Sequence, residues 1–176
     1  MVSIYSQYPI HECLVPSTLF ETGIGNIVVS RLLPGGEIGV CAFIVDVFCL
    51  GVKNALFTLS NHEHYETVIK VRLCDSHGSS FNNVEPAFAK RIICGAVDYA
   101  QNLGFSPHKD YKKYKSFLTD INQSDCKEDI IFGQDGKPFY ISGPNETSAQ
   151  SKKILSMLFK RCGSAGYDYI TSAGEF

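Results

Sequence analysis

Residues 25–50 read GNIVVSRLLPGGEIGVCAFIVDVFCL, and this stretch decides the fold. Gly25 to Leu33 is rich in β-branched residues, whose stiff side chains suit a pleated strand. Pro34-Gly35-Gly36-Glu37 is a tight turn. Ile38 to Leu50 is a second strand, apolar at odd and even positions alike, so it belongs at the centre of a sheet with both faces covered. One residue breaks its apolar run. Asp46 shares the strand's period-two face with Ile38, Val40, Ala42, Ile44 and Phe48. A two-residue loop at Gly35-Gly36 places Asp46 opposite Gly25, with Gly23 and Gly25 leaving open space beside the carboxylate.

Outward from this hairpin, a short strand is expected near His11 to Val15, and Val52 to Leu59 extends the sheet after a break at Gly51. Ser60 and Glu63 form an S-x-x-E capping box that opens a helix to about Leu73, although Val68, Ile69 and Val71 suit a strand equally well. Residues 75–85 are a polar loop. Pro86 to Leu103 is a helix: Pro suits the first helical position, apolar residues recur at helical spacing from Phe88 to Leu103, and Gly104 suits the position past its end. A further helix starts at Ser106-Pro107, and residues 119–129 are a polar connection. Ile130 to Ile141 reads as a hairpin around Gln134-Asp135-Gly136-Lys137, with Pro138 keeping its second strand at an edge. A last helix runs from about Thr147 to Cys162, and the tail beyond Gly163 is expected to be loosely held. Strands come in adjacent pairs and do not alternate with helices. The expectation is a single α+β domain over residues 1–176: an antiparallel sheet built from hairpins and covered on one face by two to four helices. A ribonuclease H-like sheet is the alternative.

The 176 residues are 44% hydrophobic and 19% charged, a composition that can bury a core and is not that of a disordered chain. The formal net charge of −2 and pI near 6.2 exclude a globally basic nucleic-acid binder, so any such contact must come from a local patch. The longest apolar run, Ile38 to Val52, is too short to span a membrane, and the N-terminus lacks a signal peptide's basic and apolar regions. Seven cysteines at scattered spacing, without a C-x-x-C, read as reduced thiols in a cytoplasmic protein with no membrane partner.

A buried carboxylate needs partners, or its pKa rises until it is neutral, so Asp46 is the leading candidate for chemistry. Its structural alternative is a turn cap, or an ion pair with Arg31, Lys53 or Arg91. His108 and Asp110 stand at a helix start, where an imidazole tends to be neutral and able to act as a base; the alternative is helix-start chemistry with an exposed His108. Lys109, Lys112, Lys113 and Lys115 alternate with Tyr111, Tyr114 and Phe117. Such a cluster can hold phosphates and stack a base, or can simply be the solvated face of an amphipathic helix. Cys49 with His108 and an acid would compose a thiol hydrolase, but Cys49 has no local nucleophile signature, and free cysteine is usually core packing. His62, His64, Cys74, Asp75 and His77 invite a metal reading that matches no established spacing. His62 and His64 share a side only if the segment is a strand.

Two stretches, FIVDVFCLGVK (residues 43–53) and YAQNLGFSPHKDY (residues 99–111), resemble motifs of an uncharacterised group of bacterial proteins with LVD-x-x-CLGVK-like and LGF-x-PH-x-DY-like sequences. The resemblance implies a bacterial or phage context and carries over no catalytic residue.

These observations rank a small hydrolase acting on a phosphodiester, RNA in particular, first. Asp46 binds a divalent ion such as magnesium or orients water, Lys53 stabilises phosphate charge, His108 is the acid or base with Asp110 orienting it, and Tyr111, Lys112 and Lys115 hold substrate. The alternatives are a non-catalytic module that binds a protein partner in a bacterial defence or toxin–antitoxin system, and a cysteine hydrolase using Cys49.

Overall fold

Five strands form one antiparallel sheet in the order β4-β3-β2-β1-β5: β1 (Ile10–Pro16), β2 (Ile24–Leu32), β3 (Glu37–Asp46), β4 (Gly51–Asn61) and β5 (Phe81–Asn83). The structure, a computed structural model, describes residues 2–75 and 80–171. The first four strands follow one another as a meander, with the short helix α1 (Leu19–Thr22) between β1 and β2, and β5 closes the far edge beside β1. The α+β class is as expected. Among the described residues no strand after residue 83 joins this sheet, which gives no support to the ribonuclease H-like alternative.

Helices cover both faces of the sheet, where the sequence suggested one. On the first face, Val29, Cys41, Phe43 and Val45 pack against Ile92, Ile93 and Ala96 of helix α4 (Pro86–Asn102), with Tyr111 of α5 (Lys109–Tyr114) alongside. On the second, Val28, Ile38, Val40 and Ala42 meet Tyr65, Ile69 and Leu73. Two coverings are what an all-apolar β3 demands. The second comes from one winding segment: α2 (His62–His64), a π-helical turn (Tyr65–Ile69) and α3 (Lys70–Asp75). Asn61, not Ser60, caps it, its side chain accepting from the His64 N–H at 2.8 Å. Ser60 is still strand, and its buried hydroxyl finds no partner among the described residues.

The β2–β3 turn holds three residues, 34–36, with the Leu33 N–H donating to the Glu37 carbonyl at 2.8 Å. The register is therefore one residue away from the expected two-residue loop, and Asp46 faces Ile24, not Gly25. A Cβ on Gly23 would lie 2.2 Å from the Phe48 ring, and one on Gly25 would lie 2.8 Å from Pro16, but a cavity lined by Gly23 does open beside the Asp46 carboxylate, as expected. Strand β3 also stops at Asp46, four residues before the expected end.

Arg31 is fully buried near the opposite end of β2. Its guanidinium donates to the carboxylate of Asp120 and to the carbonyls of Ser6, Tyr8 and Phe117. Arg31 is thus committed to Asp120, and Arg91 donates to the Cys126 carbonyl, which leaves Lys53 as the cation beside Asp46.

The segment after α5 departs most from expectation. The Gln134–Lys137 turn forms, but its flanks make no hairpin. The Gly133 and Phe139 N–H groups instead donate to the carbonyls of Val47 and Phe48, docking the segment on the β3–β4 turn. Strand β6 (Phe139–Ile141) then pairs in parallel with β7 (Asp168–Ile170), in the tail expected to be loose. Helix α6 (Ser148–Cys162) packs Leu158 with Cys49, Leu103 and Tyr140 in a third apolar cluster. Thr147 and Gln150 form the reciprocal capping box that starts α6. Among the described residues no helix is long and apolar enough to cross a membrane.

Candidate functional site at the end of the central strand

Asp46 ends β3 because its side chain competes with the ladder. Its Oδ1 accepts from the backbone N–H of Phe48 at 3.0 Å and of Cys49 at 2.8 Å, folding residues 47–50 into a turn. The carboxylate is buried, and desolvation lifts its pKa from the ordinary 3.8 to about 6 against the opposing pull of the Cys49 N–H and the Lys53 charge. The turn-cap reading and the perturbed-carboxylate reading therefore both hold for this residue.

Lys53 is placed by a β-bulge. Val45 pairs with Val52 and Ile44 with Asn54, so Lys53 is the extra residue, unpaired in the ladder. Its Nζ lies 2.9 Å from Glu146 Oε1. Glu146 Oε2 accepts from the hydroxyl of the fully buried Tyr140, which lies 3.0 Å from Ser151 Oγ. Burial alone would raise the Glu146 pKa, but the Tyr140 hydroxyl and the Lys53 ammonium outweigh it and hold it below 4.5.

Two cavities adjoin, and Lys53 lines both. The smaller, about 200 Å³, contains Asp46 with Phe48, Phe139 and Pro144. The larger, about 450 Å³, contains His108 with Glu146, Gln150, Lys153 and Phe105. The His108 backbone N–H donates to the Val52 carbonyl at 3.0 Å, tying the α4–α5 loop to the bulge. Its Nδ1 accepts from the Asp110 N–H at 3.3 Å as the cap of α5 and lies 3.5 Å from Asp110 Oδ2. Nε2 is left as the nitrogen open to other partners. Asp46, Lys53 and His108, with Asp110 behind it, thus gather at one end of the sheet, where residues 43–53 and 99–111 pack together. Gly51 shows the closeness: its φ is +71°, and a Cβ there would lie 2.8 Å from the Ala100 Cβ and 2.9 Å from the Ala96 carbonyl oxygen.

Other expected residues lie elsewhere. Tyr111 is a core residue, edge-on to Phe43, with its hydroxyl 4.0 Å from Cys94 Sγ, so its ring offers no face to a base. Lys112 and Lys115 line a separate groove with Lys90 and Thr119. Cys49 is fully buried, and burial, reinforced by the charge of Asp46, pushes its thiol far above neutral pH. That environment removes the thiolate a cysteine hydrolase needs. His62 and His64 sit on a helix, not a strand, so the two imidazoles do not share a side in the way expected. His77 and the side chain of Asp75 lie outside the described residues. Asp46 belongs to no described group of three or more converging metal-ligand side chains. Glu146, Tyr140, Gln150 and Lys153 were not anticipated. The Thr147–Gln150 capping box was the available signal, because it places Glu146 and Lys153 around the start of α6.

No family model matches the chain, and no curated protein and no solved structure is significantly similar to it.

Proposed function

We propose that this end of the sheet is the site of a small hydrolase acting on phosphodiesters, with RNA as the substrate class. The observation that carries the reading is the position of Lys53, extruded by the bulge into the wall shared by the Asp46 and His108 cavities. In this scheme Lys53 holds a phosphoryl oxygen, exchanging part of its pairing with Glu146 for the substrate. Asp46, with a pKa of about 6, accepts a proton from the attacking water near neutral pH. A bond forms between that water oxygen and phosphorus as the bond to the leaving oxygen breaks. To act as the acid, His108 takes a proton at Nδ1, exchanging its cap bond from the Asp110 N–H for the Asp110 carboxylate 3.5 Å away, and its Nε2–H delivers the proton that the leaving oxygen needs. A divalent ion such as magnesium, which keeps several waters and typically takes one or two carboxylates plus substrate phosphates, is compatible with Asp46 as a single protein ligand.

A specific observation favours a second reading, a non-catalytic binding module. Lys53 and Glu146 already satisfy each other, and Asp46 already accepts two backbone N–H groups, so the site is complete without a substrate. The deciding experiment follows RNA cleavage and thermal stability for the wild type, Asp46→Asn, Lys53→Met and His108→Ala, with and without magnesium or manganese. The hydrolase reading expects cleavage by the wild type and its loss in variants that remain folded. A wild type that cleaves nothing with either ion gives the lead to the binding module.

A further inference from the structure

A second cluster lies at the other end of β3. Strand β3 begins at Glu37, paired with Asn61, and ends at Asp46, paired with Gly51. At about 3.4 Å per residue the strand separates its two ends by roughly 30 Å. At the Asn61 end, each of His11, His62 and Glu66 offers a ligand atom within 4.8 Å of those of the other two, and among the described residues no other group of three or more converges this way. His11 Nε2 is 3.7 Å from Glu66 Oε1, and the His11 and His62 rings meet edge-on with centroids 5.6 Å apart.

Two independent breaks in regular structure create this arrangement. In β1, Ile10 pairs with Arg31 and Glu12 with Ser30, so His11 is the extra residue of a β-bulge, turned out of the ladder. In the covering helix, Glu66 lies in the π-helical turn Tyr65–Ile69, which follows directly on His62–His64. Such single π turns are rare and occur often at functional sites. The neighbours complete the set-up. Tyr65 donates to Glu12 Oε1, and Lys70 sits between Glu12 and Glu66, 3.3 Å from Glu66 Oε2. Lys70 thus engages one oxygen of Glu66, while the other, Oε1, faces His11.

We infer that His11, His62 and Glu66 form a binding site for a zinc-class divalent ion. Two imidazole nitrogens and one carboxylate are a ligand set of that class, with water completing the shell on the exposed His62 side. Ligand atoms about 2.0 Å from a common tetrahedral centre lie about 3.3 Å apart, so the 3.7 Å between His11 and Glu66 needs little closure. The ion would tie β1 to the helix covering it, and would be separate from the Asp46 end in place and in ligand chemistry.

The test is titration of the metal-free full chain with zinc, and with cobalt as a spectroscopic probe, by calorimetry and thermal melting. The expected result is one ion per chain, a rise in melting temperature, and cobalt absorption bands of a nitrogen–oxygen site. His11→Ala, His62→Ala and Glu66→Gln should each weaken binding by more than the roughly 10–100-fold that loss of a mere orienting partner costs. His64→Ala, which removes a neighbouring imidazole outside the group, should leave it unchanged. His62 is exposed, so its variant should fold whatever the fate of the other two. No binding by the folded wild type, cobalt bands of a thiolate site, or binding unaffected by His62→Ala would each overturn the assignment.

Discussion

Lys53 Nζ and Glu146 Oε1, 93 residues apart in sequence, meet at 2.9 Å. The contact joins the bulge of the sheet's edge strand to the turn that begins α6, and it is the point where the two halves of the candidate site close on each other. Both side chains are mostly shielded, with 26% and 17% exposure, so the pair lies between a surface ion pair and a buried one.

Removing one partner should therefore cost more than a surface pair and less than a fully buried one. Glu146→Gln or Lys53→Met is expected to destabilise by about 1–3 kcal/mol, with a double mutant less costly than the sum of the two. Chemical denaturation of the four-member cycle measures this. The Glu146 pKa is lowered in the fold, so its contribution is present above pH 4.5 and is lost as pH falls through the depressed value. The stability gap between the wild type and Glu146→Gln should accordingly shrink on acidification below about pH 4.5.

Asp46 should show the opposite slope. Its pKa is raised in the fold, so between pH 3.8 and about 6 the folded protein binds more protons than the unfolded chain, and stability falls as pH rises through that window. The span from 3.8 to about 6 corresponds to about 3 kcal/mol. Asp46→Asn keeps an oxygen for the Phe48 and Cys49 N–H groups and cannot ionise. The variant should lose this pH dependence and be at least as stable as the wild type at pH 7. Paired melts of the two proteins from pH 4 to 7 check it, and a variant destabilised equally at every pH would contradict it.

Gly51→Ala is expected to be severe. The position has φ of +71°, where a Cβ costs roughly 1–2 kcal/mol, and the added methyl would press on the Ala96 carbonyl, which is backbone and cannot swing aside. A loss of at least about 2 kcal/mol follows. Enlarging the partner should compound it: Ala100→Val with wild-type Gly51 should also destabilise, because the two atoms share one space. Urea midpoints report both.

Cys49 should resist alkylation. Its thiol is fully buried and pushed far above neutral pH, so iodoacetamide at pH 7.5 should leave it unmodified in the folded protein and label it in denaturant. Peptide mass mapping distinguishes the two. Cys49→Ala should retain whatever activity the wild type has.

Strand β3 shows how much the sequence could determine. Its apolar run could lie only in the middle of a sheet, and the turn at 34–37 left only an antiparallel partner, so the α+β class followed from local pattern, while the strand order around it did not. The helix over Pro86–Asn102 followed in the same way from Pro at one end, a 3.6-residue period and Gly104 at the other. Asp46 stood out because a carboxylate in such a run needs a reason, and Lys53 and His108 were legible as its possible company.

Register, bulges and distant partners were not legible. One extra residue in the turn moved Asp46 from Gly25 to Ile24, a change worth little in local energy and decided by how the whole ladder pairs. The bulges that turn out Lys53 and His11 leave no mark in composition, because they arise where two strands of unequal length must match. Glu146 reached Lys53 only because the 130–141 segment gave up its local hairpin to hydrogen-bond with the β3–β4 turn, burying Tyr140 against α6. Tyr111 turned inward for the same kind of reason: burying an aromatic ring against Phe43 outweighs leaving it on a lysine-rich face. Local pattern therefore fixed which elements form, because propensity and periodicity act over a few residues. Which side chains meet was decided by packing across the sheet, because burial and pairing depend on neighbours far away in the chain.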